Sequence, residues 1–375
     1  MLSTGAATSS SDAEALRPPA HLVLADGAVF AGQGFGALVG PDEVVASGEV
    51  VFNTVLAGYQ EVLTDPSYAG QIVTFTATHL GNYGVSSADE ESGRPWCRGV
   101  VTRSAARRHS SWRAEGDLDS YLRRHGIPGI TGVDTRRLTR HLRVHGALPG
   151  AFGTAAVEVL AEAARAEPGT TGVDLVSQVT TQHPYVVEGG PKRIVVIDLG
   201  VKRSILRHLA TFATLEVVPA STPASEILER RPDAVVASNG PGDPAILGPQ
   251  AATIAELVGA VEFLGICLGH QLLGRAVGME TVKLPFGHHG GNHPVRRVGE
   301  ERVRITSQNH NFALADDAPR GVEVTHVNLN DGVVEGIALS DSRAVGVQFH
   351  PEAGPGPHDA FGIFSELAER LGVAR

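Results

Sequence analysis

Apolar positions along the chain change rhythm once, close to residue 190. Before that point, short runs of alternating apolar and polar side chains lie between glycine-rich turns: HLVLADGAVF (21–30), EVVFNTVL (49–56) and QIVTFTATHL (71–80). A period of two predicts half-buried strands. Helical spacing appears locally, in DLDSYLRRHG (117–126), TRRLTRHLRVHG (135–146) and AAVEVLAEAARAEPG (155–169). The mixture predicts a β-rich α+β domain over residues 21–150, then a helical segment and linker over 151–191. TQHPYVVEGGPK (181–192), with its prolines and paired glycines and no helical period, is the best linker.

Beyond the linker, strand and helix alternate. RIVVIDLG (193–200) is a continuous apolar run of the kind buried on both faces. VKRSILRHLATFA follows with Ile205, Leu206, Leu209 and Phe212 at helical spacing, and LEVVPA, PASEILERR, DAVVASNGPGDP, AVEFLGIC and HQLLGRAVG repeat the alternation. This predicts an α/β domain over 192–375: a mostly parallel open sheet with helices on both faces, whose ligands bind beyond the carboxyl ends of the strands. SNGPGDP (238–244) and GICLGH (265–270) both belong at that edge.

Composition narrows the function. A chain of 375 residues is long enough for two cores, and 42% hydrophobic with 19% charged residues is an ordinary globular balance. A formal charge of −10 disfavours nucleic-acid binding, and no apolar run is long enough to span a membrane. The two distant cysteines, Cys97 and Cys267, suit a reducing cytoplasm better than a disulfide framework. Residues 1–20 are small and polar without the apolar stretch of a signal peptide, and are expected as a disordered tail.

The chemistry centres on Cys267. Gly265 and Gly269 flank it at a strand-to-helix junction, the thiol version of a nucleophile elbow. The helix N-terminus favours thiolate, and the next backbone N–H, on Leu268, points where an oxyanion would form. A small buried hydrophobe is the plainer role for a lone cysteine, and the paired glycines argue against it. His270, inside the following helix, flanks the site rather than serving as base. His350, where the apolar strand AVGVQF ends, should enter the same sheet edge, with Glu352 placed to hold its second ring nitrogen. The Gly-Pro-Gly loop at 240–242 offers further N–H donors. GQGFG (32–36) is read as a turn between strands, and no phosphate-binding loop of the GxxxxGK[ST] type is present. His288, His289 and His293 in FGHHGGNHP match no common zinc spacing; a structured hairpin loop is expected there, and no metal site.

Together, the Gly-Pro-Gly loop, G-I-C-L-G-H-Q and H-P-E resemble the class I glutamine amidotransferases over residues 192–375. GEVVFNTVLAGYQEVLTDPSYAGQIV (48–73), GITGVDTRRLTRHLR (129–143), FGHHGGNHPV and HPEAGPGPHDA extend the resemblance, from about His21, to the small subunit of carbamoyl phosphate synthase. The resemblance implies that Cys267, His350 and Glu352 hydrolyse L-glutamine through a γ-glutamyl thioester. By motif position it implies that Ser67, Gly240, Gly242, Leu268, Gln271, Asn309, Asn311 and Phe312 hold the substrate. Ser67 would then come from the other domain, although by itself it reads as a turn serine after Asp65-Pro66. Asn311 departs from the usual glycine, a position asparagine tolerates better than most residues. The resemblance further implies a large-subunit partner that receives the ammonia and uses ATP and Mg2+ with bicarbonate, with no cofactor in this chain. An anthranilate-, GMP- or CTP-type amidotransferase subunit shares the C-terminal motifs but not those of 48–73. A thiol peptidase would ignore free glutamine. A non-catalytic glutamine binder would not need Cys267, His350 and Glu352 together.

Overall fold

The computed structural model describes residues 17–38, 40–340 and 342–373. The tail expected over 1–20 lies outside these residues as far as 16, and Pro19 already opens a strand, so the ordered fold starts earlier than the sequence pattern suggests.

The N-terminal strands close into a seven-stranded barrel in the order Pro19–Leu24, Val29–Gly36, Pro128–Thr131, Gly99–Val101, Gln71–Phe75, Val44–Asn53 and Leu148–Gly153. Apolar side chains at alternate positions fill it, among them Leu22, Phe30, Val50, Ile72, Ile130 and Phe152. GQGFG is no turn: it lies within Val29–Gly36. Its Gly32 is required by close approach, since a Cβ there would stand 2.6 Å from the Thr131 carbonyl oxygen of the neighbouring strand. The helices Leu118–Arg124, Thr135–His145 and Val157–Ala166 fall where their apolar spacing puts them.

The C-terminal domain is a ten-stranded sheet. Its centre is parallel, in the order Ala213–Pro219, Lys192–Asp198, Ala234–Ala237, Glu262–Ile266 and Ala344–Val347. Val334–Leu339, Val322–Asn328, Thr281–Arg297 and Val303–Leu314 extend it antiparallel. One face packs around Leu268, Leu272, Leu273 and Ile254, the other around Ile205, Leu209, Ile363 and Leu367. Each such fully buried leucine contributes roughly 1.5–3 kcal/mol. The linker is also structured, because Tyr185–Val187 pairs with Ala213–Pro219 as an antiparallel edge strand. The three histidines of FGHHGGNHP are likewise not in a hairpin loop. They lie in the 17-residue strand Thr281–Arg297, whose register slips twice against Val303–Leu314, and those irregularities mimic a loop in sequence. Among the described residues, no helix is long and apolar enough to cross a membrane.

Candidate active site

Four strand ends of the parallel sheet converge at one edge. After Glu262–Ile266 the chain turns through Cys267, whose φ of 53° lies in a region L-residues avoid, and enters the helix Leu268–Ala276. The flanking glycines make this turn sterically possible. A Cβ on Gly265 would stand 2.5 Å from the Gly269 carbonyl oxygen, and one on Gly269 would stand 2.1 Å from that of Ala237. Leu268 is the first helical residue, so its N–H has no acceptor within the helix.

His350 follows Ala344–Val347 and is anchored by its N–H to the Ser307 carbonyl at 2.9 Å. Its Nδ1 meets Glu352 Oε1 at 2.6 Å, while its Nε2 has no hydrogen-bond partner. Burial opposes a charge on His350, but Glu352 and the Cys267 side chain outweigh it and hold the imidazolium well above its usual range. Burial likewise opposes the Glu352 carboxylate, and Lys202 with His350 overcomes it, holding Glu352 well below the usual range. Lys202 is fully buried; its Nζ donates to the same Glu352 oxygen at 2.9 Å and to the Ala353 carbonyl at 2.6 Å. The carboxylate is thus fixed from two sides, and the imidazole is fixed through it. A readable signal for Lys202 existed: it stands at the N-cap position of the helix Arg203–Ala210 without capping it, where the helix dipole disfavours a cation.

His270 is excluded from this group. It is fully buried against Gly346, and burial pushes its imidazolium down to about 3. Cys97 is buried with its thiol pushed up to about 12.

A narrow cleft with about 20 Å3 of free volume lies beside Cys267. Ser67, Gly240, Gly242, Gln271, Asn309, Asn311 and Phe312 line it, so these residues from both domains meet at one place. Leu268 is not among its lining residues and reaches the site through its backbone. Gln271 Nε2 donates to the Phe312 carbonyl at 2.6 Å and to Gln348 Oε1 at 3.0 Å, while Gln348 Nε2 lies 3.6 Å from the Cys267 sulfur. Gln348 is a polar residue inside an apolar strand end, which was its signal in the sequence.

The wall of the cleft is held from the first domain. Asp65 accepts from Ser67 N, Asn239 Nδ2 and Asn309 Nδ2 at 2.9, 3.3 and 2.7 Å. Asn239 also donates to Ser67 Oγ at 3.0 Å. The two ring nitrogens of His289 each lie 2.9 Å from an amide oxygen, those of Asn309 and Asn311. Asn311 Nδ2 reaches Glu49 of the barrel at 3.1 Å, and Lys283 pairs with the same carboxylate. The asparagine that departs from the usual glycine thereby ties the cleft to the first domain. Asp65, Asn239, His289 and Glu49 are invisible as a set in the sequence, because they lie on separate segments from both domains.

On the other side of Asn309 lies a second, smaller cavity of about 10 Å3, bounded by Asn53, Val55, Val62, Tyr68, Lys202, His350 and Pro355 among others. Cys267 and His350 therefore sit between two spaces, Cys267 facing one and His350 the other.

A thiol, an imidazole and a carboxylate at the carboxyl edge of a parallel sheet, with N–H donors beside the thiol, are the groups that thiol acyl transfer requires. Residues 195–369 match the family model of the class-I glutamine amidotransferases, and residues 22–152 match that of the carbamoyl-phosphate synthase small chain, CPSase domain. Curated relatives agree across both domains. The carbamoyl phosphate synthase small chain of a Synechococcus species is 49% identical, the alignment covering 94% of this chain and 93% of that one. The small chain of Syntrophotalea carbinolica is 46% identical over 94% and 97%. A solved glutamine amidotransferase from Thermotoga maritima is 20% identical over 49% of this chain and 86% of its own, with a TM-score of 0.34. The chain belongs to the carbamoyl phosphate synthase small-chain family, the glutamine amidotransferase component of that synthase.

Proposed function

We propose that Cys267 attacks the side-chain carboxamide of L-glutamine as a thiolate. The tetrahedral oxyanion is held by the N–H groups of Leu268 and Gly240. Its collapse breaks the C–N bond while His350 Nε2 delivers the proton that lets ammonia leave. Water, deprotonated by the same imidazole, then hydrolyses the γ-glutamyl thioester to glutamate and regenerates the thiol. Glu352 orients His350 and stabilises its charge, with Lys202 as the carboxylate's second counter-ion. Ser67, Gly242, Gln271, Asn309, Asn311 and Phe312 hold the substrate. The observation that carries this reading is the burial of Cys267, His350 and Glu352 at the junction of the two cavities, with the cleft beside Cys267 lined from both domains.

The second cavity starts the route of ammonia to a cytoplasmic large-subunit partner in a heterodimer. That partner consumes bicarbonate and ATP with Mg2+, giving carbamoyl phosphate for arginine and pyrimidine synthesis. No cofactor is required in this chain. The test is ammonia release from glutamine by the wild type, alone and with its large subunit, together with a γ-glutamyl adduct on Cys267 after acid quench. No ammonia under either condition overturns the assignment.

Two narrower results are expected. Asp65→Asn puts an amide group where three donors converge, and should lower kcat/KM for glutamine by at least about tenfold, mainly through KM, as loss of hydrogen bonds to a charged group implies. An unchanged KM would remove Asp65 from the holding of the cleft. Pro355-Gly356-Pro357 borders the exit, with Ser307 packed 2.9 Å from where a Gly356 Cβ would stand. Gly356→Phe should lower carbamoyl phosphate formation much further than glutamine hydrolysis, which also falls because the new side chain crowds Ser307, the anchor of His350. A parallel fall of both activities would show that the loop is not the exit.

A further inference from the structure

Behind the strand that carries Asn309 and Asn311 lies a buried cluster that glutamine hydrolysis does not use. His288 and His310 face each other across the Thr281–Arg297 and Val303–Leu314 pairing, and Glu335 approaches from Val334–Leu339. All three are at least 95% buried. One ligand atom from each lies within 4.8 Å of the others.

Hydrogen-bond accounting shows what these atoms present to one another. His288 Nε2 lies 2.8 Å from Asp331 Oδ2, an acceptor, so Nε2 carries the hydrogen and Nδ1 of the neutral ring is a bare lone pair. That Nδ1 has no hydrogen-bond partner and stands 3.9 Å from Glu335 Oε1. His310 Nδ1 lies 2.7 Å from the Phe312 carbonyl oxygen and therefore donates, leaving Nε2 bare. That Nε2 faces Gln308 Oε1 at 3.1 Å. As placed, Gln308 turns its Oε1 to His310, while its Nε2 donates to Glu335 Oε2 at 2.8 Å and to Thr306 Oγ1 at 3.1 Å. Glu335 Oε1 in turn accepts from Asn328 Nδ2 at 2.8 Å. Two imidazole lone pairs, an amide oxygen and the Glu335 carboxyl group thus face one another in the interior. Such a set is unfavourable unless a proton or a cation lies between them.

We propose that His288 Nδ1, His310 Nε2 and Glu335 bind a divalent late transition-metal ion, with Gln308 Oε1 beside it as a fourth donor. Two imidazoles and a carboxylate suit Zn2+, whereas Mg2+ and Ca2+ prefer all-oxygen sets. Tetrahedral bonds of about 2.0–2.2 Å place ligand atoms roughly 3.3–3.6 Å apart, so His288 Nδ1 and Glu335 Oε1, now 3.9 Å apart, and the wider separations of up to 4.8 Å must close on binding. The outer partners are those such a site needs: Asp331 and the Phe312 carbonyl hold the far ring nitrogens, and Asn328 and Gln308 hold the carboxylate. All three ligands are buried and His310 also borders the cleft beside Cys267, so the ion's role is structural. It pins the strand bearing Asn309, Asn311 and Phe312 to its neighbours and sets the wall of the adjoining cleft.

The test strips the full chain with a chelator, adds Zn2+ alone at sub-stoichiometric to equimolar levels, and measures bound metal after gel filtration together with thermal unfolding. One zinc per chain is expected, with a Tm at least about 4 °C higher. Glu335→Gln and His288→Gln should each lose both effects, whereas the paired His141→Ala and His145→Ala change, at the exposed histidines beside Asp26, should keep them. Co2+ in the stripped wild type should give the visible absorption of a four-coordinate site, a readout that needs no variant to fold. No stoichiometric metal on the wild type, or metal lost with His141 and His145 instead, overturns the proposal and leaves a shared proton as what joins these groups.

Discussion

Replacing Cys267 by serine is expected to lower glutamine hydrolysis by at least about a thousandfold, because a hydroxyl at this position is not ionised as a thiol can be. Carbamoyl phosphate synthesis from added ammonia by the complex with the large subunit should survive, since no atom of Cys267 takes part in that step. His350→Asn should give a loss of comparable order. The double variant should be scarcely worse than either single one, because nucleophile and base act as one unit. The variants' folding is checked by unchanged thermal unfolding. Two independent, additive losses would mean that Cys267 and His350 do not share a proton, and the proposed mechanism would fall. Residual activity within tenfold of wild type for Cys267→Ser would remove the thioester.

The second large effect comes from a single methyl group. Gly269→Ala places its Cβ 2.1 Å from the Ala237 carbonyl oxygen, a backbone atom in a fully buried parallel strand that cannot turn aside. Overpacking of this kind costs about 1–3 kcal/mol where side chains yield, and more where only backbone can move. Helix and strand must separate, which lowers the Tm and swings Cys267 away from His350. Glutamine hydrolysis should fall at least about a hundredfold even at temperatures where the chain stays folded, since a misplacement of 1 Å can have that effect. Gly248→Ala is the control: it is also at the start of a helix but has nothing within 4 Å of its Cβ, and it should stay within about 0.5 kcal/mol of wild type. Similar behaviour of the two variants would show that the elbow glycines are not required by packing.

The two domains differ in how far they were legible. The βαβ rhythm of 192–276 is local and strongly periodic, and the helices and parallel strands formed where it indicated. Three segments did not follow their local appearance. GQGFG is glycine-rich because a neighbouring barrel strand passes over it, not because the chain turns. TQHPYVVEGGPK gains its strand from pairing with Ala213–Pro219, a partner that no local pattern names. FGHHGGNHP breaks the period of two because the register slips, although the chain remains extended. In each case the deciding contact comes from a segment distant in sequence.

What the sequence determined by itself is whatever neighbouring residues encode: the amphipathic helices, the apolar parallel strands, and an elbow at Cys267 whose glycines mark a close approach. From strand ends alone, His350 and Glu352 could be set at the same sheet edge and His270 set aside. The tertiary structure alone decided that Lys202 fixes Glu352 and that Glu49 of the barrel and Asp65 of the same domain hold the wall beside Cys267. It alone decided that Cys267 and His350 divide one cavity from another, and that His288 and His310 turn toward Glu335. The physical reason is common to all of these. A buried charge or lone pair is tolerable only with a partner, and the partners here are separated by tens to hundreds of residues, so only the folded chain brings them together.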